Sequence, residues 1–147
     1  MLKIAYIGAG SLQFGPILVQ DILMSDSLSS KGLEIYLMDI EKSHLNHVLE
    51  HTEYVKEKLG RDVKIFTTTN RDEAIKEANF VICALEKDRN VYWAQDFHIP
   101  RKYGFKQVYG ENGGIGSLFH ALRNIKGIMD LARAMERLCP NALFFIF

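Results

Sequence analysis

Short, nearly continuous apolar runs alternate along the chain with stretches in which apolar residues recur every three or four positions. Residues 3–7 (KIAYI) and 33–38 (LEIYLM) are runs of the first kind, ending at Gly8 and Asp39. Between them Ile17, Leu18, Ile22 and Leu23 fall at helical spacing over residues 16–24, and Pro16 stands where a first helical turn tolerates a missing N–H. This predicts strand, helix, strand. A second helix is expected over residues 43–59, with Leu45, Val48, Leu49, Thr52 and Val55 as its core-facing stripe and Gly60 as its stop. Residues 63–67 (VKIFT) read as a third strand, and Asn70 or Asp72 can cap a short helix through DEAIKEA. Residues 80–85 (FVICAL) read as a fourth strand, apolar enough to be covered on both faces.

A long amphipathic helix is expected over residues 117–138, where Leu118, Leu122, Ile125, Met129, Ala132, Met135 and Leu138 step by three or four. Cys139-Pro140-Asn141 stops it, and residues 142–147 (ALFFIF) read as a fifth buried strand. Strands alternating with helices imply right-handed crossovers and a mostly parallel sheet with helices on both faces, an α/β fold of the Rossmann type. We expect one dinucleotide-binding domain over residues 1–147. Ligands of such sheets bind beyond the carboxyl ends of the strands. The last strand runs into the end of the sequence, so the catalytic and substrate-binding parts are expected outside it.

Composition narrows the partners. Across 147 residues, 48% are hydrophobic and 24% charged, the make-up of a folded domain. Eighteen basic residues balance eighteen acidic ones, which leaves no bulk attraction for nucleic acid or anionic lipid. The apolar runs are too short to span a membrane and no secretion signal opens the chain, so a cytoplasmic protein without nucleic-acid or membrane partners is expected. Cys83 and Cys139 match no zinc or redox spacing and are expected to be buried thiols.

The chemistry concentrates at the end of the first strand. Gly8-Ala9-Gly10-Ser11, followed by Leu12, Gln13, Phe14 and Gly15, lies where a dinucleotide fold holds its pyrophosphate, and glycine lets the phosphate reach the backbone and the positive helix end. Gln13 takes the place of the third glycine of Gly-x-Gly-x-x-Gly, and Gly15 comes two residues late. Asp39, at the end of the second strand, can accept both hydroxyls of an adenine ribose and repel a 2′-phosphate, which favours NAD over NADP. The expected cofactor-binding set is Gly8, Gly10, Ser11, Leu12, Gln13, Phe14, Asp39 and Ala84. Two bland readings stand beside it: a purely structural glycine turn, and an Asp39 that only caps the next helix.

Three further stretches stand out. His44, His47 and His51 share one helix face, for which a solvated surface is expected rather than a metal site. Residues 86–105 are dense in charge and aromatics, and can either close over a bound ligand or connect into a helix with Trp93 and Phe97 as core anchors. In YGENGGIGSLFHALRN, Glu111 and Asn112 precede glycines that either admit a ligand to a helix start or form a plain loop capped at Ser117.

Taken in order, IGAGSLQFGP, LMDI, WAQDFHIPRKYG, GENGGIG and ALRNI through LCPNA resemble the family 4 glycoside hydrolases, a group of α-galactosidases, α-glucuronidases and 6-phospho-glucosidases. The resemblance implies NAD and a divalent metal, Mn2+, as cofactors. It implies a reaction unlike the two-carboxylate mechanism of most glycosidases: oxidation at C3 of the sugar, loss of the C2 proton, elimination of the glycosidic bond, addition of water and reduction. The metal ligands and the base tyrosine would lie outside this chain, which by this reading holds no metal ligand. Glu111 matches an acidic residue near the family's active site and is the candidate catalytic residue, while Trp93, Asp96 and Asn112 are the candidate substrate-binding residues. Dimers or tetramers are implied.

This sequence departs from the family's glycine run, since Ile115, Ser117 and His120 replace Pro, the last Gly and the first Arg. Trp93 stands where phospho-glucosidases carry an arginine for the sugar phosphate, three residues before Asp96. The resemblance therefore points to a non-phosphorylated α-galactoside or α-glucuronide. Two other functions share the glycine turn and acidic strand end: a 2-hydroxy-acid dehydrogenase of the lactate or malate type, and an NAD-binding module without chemistry.

Overall fold

A computed structural model describes residues 1–30 and 32–147. The elements run β1 (Leu2–Ile7), α1 (Gly15–Met24), α2 (Asp26–Ser29), β2 (Leu33–Met38), α3 (Lys42–Leu59), β3 (Val63–Thr68), α4 (Arg71–Ile75), β4 (Phe80–Cys83), α5 (Arg89–Lys102), α6 (Gly114–Leu138) and β5 (Leu143–Ile146). They divide into two compact units, residues 1–84 with 133–147, and residues 85–132. Among the described residues no helix is long and apolar enough to cross a membrane.

The first unit holds a sheet of order β3-β2-β1-β4-β5 with every pairing parallel, the Rossmann arrangement that the alternation predicts. Ile7 stands opposite both Met38 and Cys83, Met38 opposite Thr68, and Cys83 opposite Ile146. The carboxyl ends of all five strands are therefore level, and Gly8, Asp39, Ala84 and Phe147 leave the sheet in one row. One face packs Ile4, Tyr6, Ile35, Leu37 and Ile82 against Val19, Ile22 and Leu23 of α1 and Leu45 and Val48 of α3. On the other, Ala5, Ile7, Val81 and Cys83 are buried, as are Ala74 and Ile75 of α4 and Ala134 and Met135 near the end of α6.

Local signals explain the ends of the elements. Gly60 ends α3 with φ of 59°, and the N–H groups of Gly60 and Arg61 close onto Glu57 and Lys56. Of the two candidate caps for α4 the chain uses Asn70, whose side chain accepts from the N–H groups of Asp72 and Glu73 at 3.0 and 3.3 Å. Cys83 and Cys139 are buried, as expected.

Two core expectations are corrected. The stripe on α6 is buried only toward its end: Leu118, Leu122, Ile125 and Met129 are exposed, Leu122 at 59%, while Met135 is buried. Helical periodicity identifies a face but not what covers it. The fifth strand is also not buried, since Leu143, Phe145, Ile146 and Phe147 are exposed. It is the edge of the sheet, paired on one side by β4, whereas a continuous apolar run is equally consistent with a central strand.

Gly15 supplies the close approach that the displaced third glycine would have made. It is buried at the start of α1, and a Cβ there would sit 2.3 Å from the Ala9 carbonyl oxygen and 3.2 Å from Cγ2 of Val48. A Gly15→Ala substitution is expected to lose about 1–3 kcal/mol of stability to overpacking, read by urea denaturation. An unchanged midpoint would show that α1 can back away from β1.

Candidate functional site

The first unit builds its candidate site on the row of strand ends. Gly8, at φ of 85°, turns the chain out of β1, and the N–H groups of Gly8 and Ala9 both donate to the Met38 carbonyl at 2.9 and 3.0 Å. Ser11 shapes the rest of the turn, its N–H reaching Gly8, its hydroxyl accepting from Phe14 at 3.3 Å and its carbonyl accepting from Gly15 at 2.7 Å. Asp39 joins this turn to β2. One carboxylate oxygen accepts the Gly10 N–H at 2.9 Å and the other the Glu41 N–H at 3.1 Å. Gly10 must be glycine here, because a Cβ would lie 2.7 Å from Oδ2 of Asp39 and 2.8 Å from Cβ of His44.

This arrangement fits a dinucleotide. The N-cap of α1, Phe14, offers no side-chain acceptor, but the Phe14 and Gly15 N–H groups are held by Ser11 and Pro16 has none, so the helix start offers an anion its positive dipole rather than a set of free N–H groups. Each oxygen of Asp39 keeps a lone pair beyond its backbone bond, enough to accept a ribose hydroxyl. Leu12, at 73%, and Phe14 are exposed, and so is Gln13. Phe14 and Ala84 also line a pocket of about 150 Å³ with Tyr6, Ile17, Leu18, Asp21 and Phe147. Tyr6 reads as an ordinary apolar strand position, yet its buried hydroxyl lacks a hydrogen-bond partner. Burial, with Asp39 and Cys83 nearby, pushes that phenol up to about 12. His44 and His47 are exposed along α3, whereas His51 is half-buried with its Nε2 buried and unpartnered, so the expected solvated face holds for two of the three. Among the described residues no group of three His, Cys, Asp or Glu could hold a metal.

In the second unit Glu111 meets Trp93, whose indole N–H donates to one carboxylate oxygen, while Arg89 approaches the other at 3.4 Å. Arg89 is shared, binding Glu86 at 2.5 Å, and Glu86 faces His120 at 3.6 Å. Burial would raise the Glu111 carboxyl, but its own backbone N–H, Trp93 and Arg89 outweigh this and hold it below the usual carboxylate range. The hydrogen bond to Glu86 in turn raises the Arg89 guanidinium. Glu111 is thus an ionised acceptor rather than a proton donor.

The other two candidates differ sharply. Asp96 is only 5% exposed and both its oxygens are taken by Arg123, whereas Asn112 is exposed. The glycines before α6 have mainly structural reasons. A Cβ at Gly110 would lie 3.0 Å from the Trp93 carbonyl, and one at Gly116 would lie 2.3 Å from the Asp96 carbonyl. Gly113 and Gly114 turn the loop with φ of 68° and 77°, so α6 starts at Gly114 rather than Ser117.

Sequence reading missed Arg89, Glu86 and Asn124 as parts of this network. Asn124 is buried, accepts the Lys87 N–H at 3.0 Å and donates to the His120 carbonyl at 3.1 Å. One signal was available for Arg89, which with Trp93, Phe97 and Arg101 repeats every four residues on what proves to be α5.

Fold and site together define the class, an α/β protein with the Rossmann sheet of the lactate and malate dehydrogenases. A malate dehydrogenase from Plasmodium falciparum shares that fold at a TM-score of 0.67 and 20% identity, over 99% of this chain and 37% of that one. The chain belongs to family 4 of the glycosyl hydrolases, whose model matches residues 3–147. It is 44% identical to an alpha-glucosidase of Erwinia rhapontici, over 97% of this chain and 31% of that protein. It also superposes on the 6-phospho-beta-glucosidase of Thermotoga maritima with manganese, NAD+ and glucose-6-phosphate, at a TM-score of 0.82 and 26% identity, over 99% of this chain and 34% of that one. The chain spans about a third of the length of these family relatives.

Because Gly116 packs on the Asp96 carbonyl, a Gly116→Ala substitution is expected to destabilise the chain by about 1–3 kcal/mol. Asn112→Ala, at an exposed position, is expected to stay within about 0.5 kcal/mol. Thermal melts of the two variants check the contrast, and equal melting would show that the glycine run is not packed as described.

Proposed function

We propose that residues 1–84 and 133–147 bind NAD in an NAD- and divalent-metal-dependent glycosidase acting on a non-phosphorylated α-glycoside, an α-galactoside or α-glucuronide. The observation that carries this reading is the Asp39 carboxylate, fixed by the Gly10 and Glu41 N–H groups at the level row of strand ends. There it can accept the adenine ribose hydroxyls and repel a 2′-phosphate. The turn from Gly8 to Phe14 would hold the pyrophosphate at the positive start of α1, with Ala84 lining the same edge. When bound, NAD supplies the transient oxidation at C3 of the sugar that acidifies the C2 proton and lets the glycosidic bond break.

Within residues 85–132, Glu111 is the residue we assign to face the sugar, as an ionised acceptor for a hydroxyl, with Asn112 beside it. Asp96, buried and paired with Arg123, takes a supporting role beside Gly110 and Gly116 rather than a contact with sugar. A non-phosphorylated substrate is favoured because Trp93 replaces the phosphate-binding arginine and because Arg89 is already paired with Glu86 and Glu111. The alpha-glucosidase relative supports the α-glycoside class. The manganese of the reading is assigned, as the family resemblance implies, to ligands outside this chain, and no step is derived through it. A cytoplasmic homo-oligomer completes the reading, and the family match favours it over a plain 2-hydroxy-acid dehydrogenase or a module without chemistry.

Calorimetric titration tests the cofactor assignment. NAD is expected to bind this chain at least about tenfold more tightly than NADP. Asp39→Ala is expected to weaken NAD binding by about 10- to 100-fold, from the loss of charge-assisted hydrogen bonds. Equal affinities for NAD and NADP, or an indifferent Asp39→Ala variant, would contradict it.

A further inference from the structure

The geometry points to Trp93 as a positioning residue, which holds the Glu111 carboxylate through its indole N–H while a stack along α5 holds the indole. This rests on the reading above, in which Glu111 is the carboxylate that faces the substrate. It changes the part played by Trp93 from a surface for sugar to a support for its neighbour.

Arg89, Trp93, Phe97 and Arg101 lie four residues apart on one helix, so their side chains stack on successive turns. The Phe97 ring lies 5.5 Å from the Trp93 ring with the planes 7° apart. The Arg89 guanidinium is 5.9 Å from the centre of the indole, and Arg101 covers Phe97 at 4.9 Å. Arg89 lies one turn before Trp93 and Phe97 one turn after it, so the indole has a protein neighbour from each adjacent turn of α5. The parallel Phe97 ring and the Arg89 guanidinium both take up part of the indole's surroundings, which favours support of a neighbour over a platform for sugar. Its polar edge is committed as well, to Glu111.

The grip on the loop is double. Gly110 packs so closely on the Trp93 carbonyl that a Cβ would lie 3.0 Å away, while the next residue, Glu111, takes the indole N–H. Backbone and side chain of one residue therefore fix two consecutive residues of the loop. Arg89 reaches the other oxygen of the carboxylate at 3.4 Å and is shared with Glu86 at 2.5 Å.

Trp93 is the only tryptophan in the chain, so its indole N–H gives one unambiguous NMR signal. We would follow that signal and the Glu111 carboxyl carbon through an acid titration of this chain, without cofactor or sugar. The indole signal is expected to move with Glu111 and to lose that step in Glu111→Gln. In Trp93→Phe, which keeps an aromatic ring in the stack, the Glu111 titration is expected to shift upward toward the ordinary carboxylate range. An indole signal that stays flat while Glu111 titrates overturns the proposal, as does a Glu111 titration unchanged in Trp93→Phe. If Trp93→Phe does not fold, the Glu111→Gln spectrum alone decides. The NAD titration is independent of this coupling, so failure of one does not imply failure of the other.

Discussion

The hydrogen bond from the Gly10 N–H to the Asp39 carboxylate is the contact on which the rest of the candidate cofactor site depends. It ties the turn after β1 to the end of β2, and it is possible only because the strands are in level register and position 10 carries no side chain. The same carboxylate reaches forward to the Glu41 N–H, just ahead of α3. A single acidic side chain thus fixes the turn, the strand end and the start of the next helix, and still has lone pairs to offer a ligand. Gly15 completes the turn by letting α1 approach the Ala9 carbonyl. The displaced glycine of the motif therefore keeps the packing role while the turn between β1 and α1 becomes longer.

Much of this was legible in the sequence because it is written in local signals. The five strands, the helices over α1, α3 and α4 and the stop at Gly60 follow from period, caps and glycine, and the helix α6 follows from a stripe that runs its whole length. Asp39 could be singled out since a strand end is where an acidic residue has a use. What could not be read were the neighbours. Leu122 and Phe145 belong to apolar patterns as regular as those of Val48 and Ile82, yet they are exposed. A pattern records that a surface is apolar and not whether another part of the molecule lies on it.

The α5 segment shows a different limit. Its apolar residues do not gather on one face, and its charged residues and Pro100 obscure the helical period, so residues 86–105 could be read as a covering loop. The regularity that was present lies in stacking rather than amphipathicity, with arginine and aromatic rings four residues apart. Likewise Glu111 was readable as a candidate, but the partners that keep it ionised come from positions 18 and 22 residues earlier. Asp96 is the counterpart. Its match to the family's stretch implied a contact with sugar, while the fold buries it against Arg123, which supports the α5 segment from within.

The central claim is that the row of strand ends holds NAD with its adenine ribose on Asp39. A crystal structure of the chain grown with NAD tests it most directly. The account predicts ribose hydroxyls within about 3 Å of the Asp39 carboxylate, a normal hydrogen-bond distance, and the pyrophosphate over the turn from Gly8 to Phe14. A dinucleotide whose ribose lies away from Asp39, or whose phosphates avoid that turn, would contradict it.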